Sequence, residues 1–134
     1  MARFYHVDIA RFAADADAKW IDNLLSHFDL PGVEAQRQGV ARRISEDGIL
    51  HIVLVRRLTR ELGVPTERAV AMAAQLLAST GEWEYVASGL SLRLDRGLFS
   101  RQVAERIAVA VESIVPARRG RPPQRPQKQA GRLD

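Results

Sequence analysis

The stretch GVARRISEDGIL, residues 39–50, sets two adjacent arginines, Arg42 and Arg43, directly before a serine and two acids. Ser45-Glu46-Asp47 reads as a helix start. The serine hydroxyl accepts an orphan backbone N–H, and both carboxylates fall in the first turn, where the helix dipole favours negative charge. The arginines therefore lie outside the helix, on the segment that delivers the chain to it. They are held at a fixed place without being needed to build anything.

Working outward, the helix that starts there runs from about Glu46 to Leu62, with Gly63 as a left-handed terminator. Leu50, Val53, Leu54, Leu58 and Leu62 give its buried side. Arg56, Arg57 and Arg60 lie off that side, an exposed face with salt bridges to Glu61 or Glu67. GVPTERAVAMAAQLLAS starts another helix at Pro65 or Thr66, with Ala69, Val70, Ala73, Leu76 and Leu77 as its stripe. So short a connection predicts a packed helix pair.

Upstream, residues 4–14 read as a short helix or a strand-to-helix entry, with Ile9, Phe12 and Ala13 on one side. Asp15 is placed to cap a second helix, in which Trp20, Ile21, Leu24, Leu25 and Phe28 keep helical spacing. Its opposite face carries Lys19, Asp22, Asn23, Ser26 and His27. Pro31-Gly32 ends it, and residues 31–44 form a polar loop with two short strands and Arg37, Arg42 and Arg43. Downstream, EWEYVASGLSLRLD alternates as a β-hairpin does, with Trp83, Tyr85 and Ala87 in one phase and Leu90, Leu92 and Leu94 after Ser88-Gly89. SRQVAERIAVAVESIV returns to helical spacing, capped at Ser100, burying Val103, Ile107, Val111 and Ile114 and stopped by Pro116.

From Ile9 to about Leu77 this order resembles the DNA-binding domain of the MerR family of winged helix-turn-helix regulators. The segment that carries the resemblance is ARRISEDGILHIVLVRRLTRELGVPTERAVAM, with its arginine pair, serine and acids, apolar helix, arginine-rich turn and ELG. The resemblance implies that the second helix enters a major groove and that the loop after it forms a wing on the flanking backbone. Lys19 and Asn23 would then face the groove, and Arg37, Arg42 and Arg43 would be wing or wing-base phosphate contacts. Guanidinium groups suit phosphate oxygens, and asparagine pairs bidentately with an adenine edge. The chain departs from the family pattern at Ile44, where an aromatic is usual, and at Ala14, where the turn glycine is usual. It also carries Asp15, Asp17 and Asp22 on the reading helix, and it lacks a long helix with heptads.

The net charge of +4 over 134 residues is unevenly spread. Residues 117–134, ARRGRPPQRPQKQAGRLD, hold six basic side chains against Asp134, while the other 116 residues hold 14 basic and 15 acidic ones. Residues 37–60 carry six arginines against two acids, and residues 1–36 three basic groups against six acids. Two positive regions on a near-neutral body point to a polyanion held at defined places. In the tail, Arg119-Gly120-Arg121-Pro122 matches the core of the AT-hook, a peptide that lies along the narrow minor groove of A·T tracts; the alternative is a nonspecific basic tail.

The absence of cysteine excludes a disulfide framework, a thiolate metal site and a cysteine nucleophile. No apolar run reaches the roughly 18 residues of a membrane span, and MARFYHVDIARF is too polar for a signal peptide. His6, His27 and His51 lack metal-ligand spacing, His51 being satisfied within its helix, so no metal, cofactor or active site is expected. The expected architecture is mainly α. Residues 1–79 form a winged helix-turn-helix, residues 80–116 a hairpin-helix extension that either dimerises or caps the core, and residues 117–134 a disordered basic tail. The expected function is double-stranded DNA binding by a cytoplasmic, nucleoid-associated regulator, with homodimer formation as one use of the extension. The competing reading is a protein-interaction adaptor, or an antitoxin-like accessory factor, in which the aspartates have displaced DNA reading.

Overall fold

The computed structural model describes residues 3–34, 39, 42–78, 83–87 and 89–119. Their architecture is mainly helical. In chain order it comprises β1 (Phe4–His6), α1 (Val7–Ala14), α2 (Ala18–His27), β2 (Arg43–Ser45), α3 (Glu46–Glu61), α4 (Thr66–Ala78), β3 (Trp83–Ala87), β4 (Leu90–Leu94) and α5 (Arg96–Arg119). No helix among the described residues is long and apolar enough to cross a membrane.

The N-terminal segment is the strand-to-helix entry of the two readings. His6 ends β1 and caps α1, its Nδ1 accepting the Asp8 backbone N–H at 3.1 Å. Ile9, Ala10, Ala13 and Ala14 turn inward, while Phe12 stays 36% exposed. Asp15 does not cap the second helix. It is the C-cap of α1, left-handed at φ 54°, and Asp17 caps α2 by accepting Trp20 N–H at 2.8 Å. The left-handed position that glycine fills so easily in such a turn is therefore Asp15, one residue beyond Ala14; aspartate is among the few side chains that tolerate it.

α3 is the central element. Ser45 caps it as expected, its Oγ accepting Gly48 N–H at 3.2 Å. Gly48, Ile49, His51, Ile52, Val53, Leu54, Val55 and Leu58 are all buried, so the helix is covered on most sides rather than along one stripe. The reason is position: α1, α4, α5 and β2 all pack against it. Leu62, expected in the buried side, is 59% exposed because the chain leaves the helix there. His51 is satisfied locally, its Nδ1 donating to the Asp47 carbonyl at 2.9 Å. Gly63 holds φ 67° as a terminator, and α4 begins at Thr66 and buries Ala69, Met72, Ala73 and Leu76.

The hairpin pairs Trp83 with Leu94, Tyr85 with Leu92 and Ala87 with Leu90, which puts the two alternating phases of the sequence opposite each other. β3 lies on α4, and Leu92 and Leu94 pack against the core. α5 then runs along α1 and touches α3, burying Phe99, Val103, Ile107 and Ala110. It starts four residues before Ser100: Asp95 caps it, Oδ1 accepting Leu98 N–H at 3.0 Å. Nor does Pro116 stop it, for the backbone stays helical to Arg119. A proline removes one N–H but carries a helical φ, so the residues after it can still close their own bonds. The disorder expected beyond falls on residues 120–134, outside the described residues.

Candidate nucleic-acid interface

α2 owes its orientation to Ile21, Leu24 and Leu25, which are buried in the core. That leaves Lys19, Asp22, Asn23 and Ser26 outward and exposed, at the i, i+3, i+4, i+7 spacing of a single helix face. Lys19 and Asn23 are thus one turn apart on that face, with Asp22 beside them. His27 closes the helix by donating from Nδ1 to the Asn23 carbonyl at 2.8 Å, which leaves the Asn23 side-chain amide uninvolved in that bond.

Beyond α2 the chain returns on itself. Ile44 pairs with Tyr5 across β1–β2 and bridges to Val33 on its other side. Glu34 N–H donates to the Arg43 carbonyl at 3.0 Å and Ser45 N–H to the Gly32 carbonyl at 2.8 Å. Residues 32–34 and 43–45 therefore form an antiparallel stem beyond the end of α2. The base of that stem is tight. A Cβ on Gly32, at φ 81°, would strike Ser45 Oγ and lie 2.5 Å from Gly48 N. A Cβ on Gly48 would lie 2.7 Å from Ile44 Cγ2 and 2.8 Å from the Gly32 carbonyl oxygen. Only two glycines allow these backbones to meet.

The stem separates the two arginines of residues 42–43. Arg43 faces His6 in the register and is exposed, its guanidinium 4.9 Å from the Phe4 ring centroid. Alternation puts Phe4, His6 and Arg43 on one face, opposite the buried Ile44. Arg42 is half-buried and lines a small cleft with Asp29 and Glu34. Arg3, which the sequence reading passed over, lies 5.2 Å from the Tyr5 ring centroid. Arg37 is outside the described residues, as are Gly120 and Arg121; Arg119 is the last residue of α5.

At the other end of α2 the α1–α2 junction is held from a distance. Asp15 N–H and Ala16 N–H return to the Phe12 and Arg11 carbonyls at 3.1 and 3.0 Å. Arg106 of α5 donates from Nε to the Ala13 carbonyl and from a terminal nitrogen to the Phe12 carbonyl, both at 2.7 Å, and lies over the Phe12 ring. Arg60 of α3 donates to Asp15 Oδ2 at 3.0 Å and to the Asp15 carbonyl at 3.3 Å. Two cations at a helix C-terminus also complement its dipole. Arg60 thus finds Asp15, not Glu61 or Glu67. Arg57 pairs with Glu61 at 3.7 Å as expected, and Arg56 lies over the Trp20 ring at 4.9 Å. Nothing in the local sequence marks Arg106 as different from other polar positions of an amphipathic helix; its partners are 93 and 94 residues away.

Among the described residues, no group of three or more histidine, aspartate or glutamate side chains is placed to hold a metal ion. No protein-family model, curated protein or solved structure matches the chain.

Proposed function

We propose that the chain is a double-stranded DNA-binding protein of the winged helix-turn-helix type, resembling MerR regulators, and that it acts in transcription from the cytoplasm or nucleoid. The observation that carries this reading is the antiparallel stem at the exit of α2, which leaves Arg43 exposed on its outer face. α2 supplies Lys19 and Asn23 for the groove, and the stem and its loop supply Arg43, Arg42 and Arg37 for the flanking phosphates. The Arg119–Arg121 segment adds a minor-groove or phosphate anchor beyond α5.

Fluorescence anisotropy on genomic duplex fragments, repeated over a series of salt concentrations, tests this. The full chain should bind with a log K that falls linearly with log salt, and Arg43→Gln should lower the slope by about 1. Truncation after Arg119 keeps α5 whole and removes Arg121, Arg125, Lys128 and Arg132, which should flatten the slope by about 3 to 4 if each meets a phosphate. A chain that binds no duplex at low salt refutes the reading.

A protein-interaction adaptor is the second reading. Asp22 stands exposed between Lys19 and Asn23 on the outer face of α2, where it repels phosphates. Val86 and Leu90 on the hairpin are 58% and 77% exposed, an apolar surface of the kind that partner proteins cover. Asp22→Asn separates the two: stronger duplex binding supports the regulator, and no change supports the adaptor.

A further inference from the structure

β4 is the outer strand of a two-stranded sheet. β3 is the strand that lies on α4, and among the described residues no third strand pairs with β4. The register joins Ala87 to Leu90 across two residues, and a connection that short closes on a hydrogen-bonded pair. Antiparallel alternation then turns the N–H and C=O groups of Leu90, Leu92 and Leu94 toward β3, and those of Ser91 and Arg93 toward the outer edge. Ser91 and Arg93 are both exposed. Sheet edges are ordinarily guarded by proline, a bulge or charge. β4 is LSLRL and pairs without a bulge. Its one charged residue, Arg93, stands in register with Glu84 and is already engaged within the chain. Leu92 and Leu94 pack against the core, whereas Leu90, in the same phase of the strand, is 77% exposed.

We propose that β4 pairs with β4 of a second copy of the chain, antiparallel about a two-fold axis at Leu92, so that the two hairpins join into one four-stranded sheet. A two-fold contact of this kind needs a strand complementary to itself, and β4 is one. With Leu92 opposite its own equivalent, every residue of the strand finds a partner: Ser91 stands opposite Arg93 of the second copy, and Leu90 opposite Leu94. Ser91 and Arg93 are the positions whose backbone faces outward, so each exchanges both N–H···O=C bonds with the other across the axis. The two arginines stay off one another, each meeting a serine. The neighbouring registers are worse. Centring on Arg93 sets like charges directly opposite, and centring on Ser91 leaves Arg93 and Leu94 against the turn. Pairing about Leu92 also covers Leu90. Directly opposite residues lie on one face of a sheet, so Leu90 of each copy packs beside Leu94 of the other, which its own core already holds. A strand from another protein would offer the same backbone bonds; the match of leucine to leucine and serine to arginine singles out a second copy. Two copies of α2 in one assembly would raise the affinity for a duplex with paired half-sites, but the dimer does not rest on the DNA reading.

Sedimentation equilibrium of the full chain without nucleic acid, over a range of concentrations, tests the pairing. The chain should show a reversible monomer–dimer equilibrium. Ser91→Glu sets a carboxylate opposite each Arg93 of the other copy and should tighten the dimer about threefold or more, while Ser91→Arg should loosen it by a similar factor. Ser91 is exposed, so both variants keep the fold, which far-ultraviolet circular dichroism checks. The register is read by cross-linking in this cysteine-free chain. A Ser91→Cys chain mixed with an Arg93→Cys chain brings two thiols to positions about 5.5 Å apart between Cα atoms, within disulfide reach. The mixed disulfide should therefore form ahead of either like-with-like one. A chain that stays monomeric at every concentration overturns the proposal, whether or not a foreign strand binds the edge. So does a dimer that responds equally to both charges at residue 91, or that cross-links like with like, because its contact then lies elsewhere.

Discussion

The two ends of α2 are fixed by opposite means. At its N-terminal end the α1–α2 junction is held by long side chains from far along the chain, Arg106 from α5 and Arg60 from α3, which reach the last carbonyls of α1 and the Asp15 carboxylate. At its C-terminal end the stem is held by backbone against backbone, Gly32 on Gly48, with Ser45 bonded to both residues. The first kind of joint is polar and partly solvated, and its parts can be exchanged one at a time. The second rests on close backbone contact, with the Ser45 hydroxyl on Gly48 N–H, and has no space to give. For a helix proposed to enter a groove, this makes one end rigid and the other adjustable.

The sharpest way to break the contrast is Gly32→Ala. The substitution asks an L-residue to hold φ 81° and sets its Cβ against the Gly48 backbone and Ser45. Left-handed strain of roughly 1–2 kcal/mol and an overpacking cost of similar size predict a loss of about 3 kcal/mol, read from urea unfolding. Gly48→Ala gains about 1 kcal/mol of helix propensity and is still expected to destabilise, because its Cβ meets Ile44 and the Gly32 carbonyl. If both variants unfold like the parent, the base of the stem is not the rigid end.

Arg106→Ala probes the adjustable end. It removes two bonds to carbonyls at 2.7 Å and the contact with the Phe12 ring, yet the residue is exposed, so water replaces part of what is lost. An expected cost of about 1–2 kcal/mol follows, smaller than that of Gly32→Ala. The two variants also differ in their response to salt. Screening weakens the attraction between a guanidinium and a helix C-terminus, so the Arg106→Ala penalty should shrink in 1 M NaCl, where the Debye length is about 3 Å against about 10 Å at 0.1 M. The glycine penalty should not move.

The same contrast explains what the sequence could and could not disclose. α3 with its Ser45 cap, the Gly63 terminator and the two alternating strands of the hairpin were legible because each depends on residues within a few positions of one another. The mainly helical class follows from those periodicities. Caps chosen among neighbouring candidates were not: Asp15 and Asp17 both suit a helix start, and only the path of the chain decides that Asp17 caps α2 while Asp15 closes α1. The division of Arg42 from Arg43 required the strand pairing, which puts one beside Asp29 and Glu34 and the other over Phe4. Arg106, whose partners on α1 lie 93 and 94 residues away, has no local signature at all.

The smallest effect is expected at Asp15 itself, where two costs oppose each other. Its φ of 54° and ψ of 52° are left-handed, a conformation that burdens an L-residue by roughly 1 kcal/mol and glycine hardly at all. Asp15→Gly removes that strain. It also loses the pair with Arg60, whose partners are largely exposed and which is worth about 0–1 kcal/mol, and adds backbone freedom to the unfolded chain. The net change should lie within about 0.5 kcal/mol of zero. Asp15→Ala keeps the strain and loses the same pair, so it should cost about 1 kcal/mol more than Asp15→Gly. Neither variant keeps a carboxylate for Arg60, so the ion pair is already absent from the difference between them, and repeating both in an Arg60→Ala background removes the remaining bond from Arg60 to the carbonyl of residue 15. If the difference between glycine and alanine persists there, backbone conformation sets it, and the adjustable end of α2 has a strained hinge beneath its arginines; if the difference vanishes, the Arg60 bond to that carbonyl is what imposes the left-handed conformation.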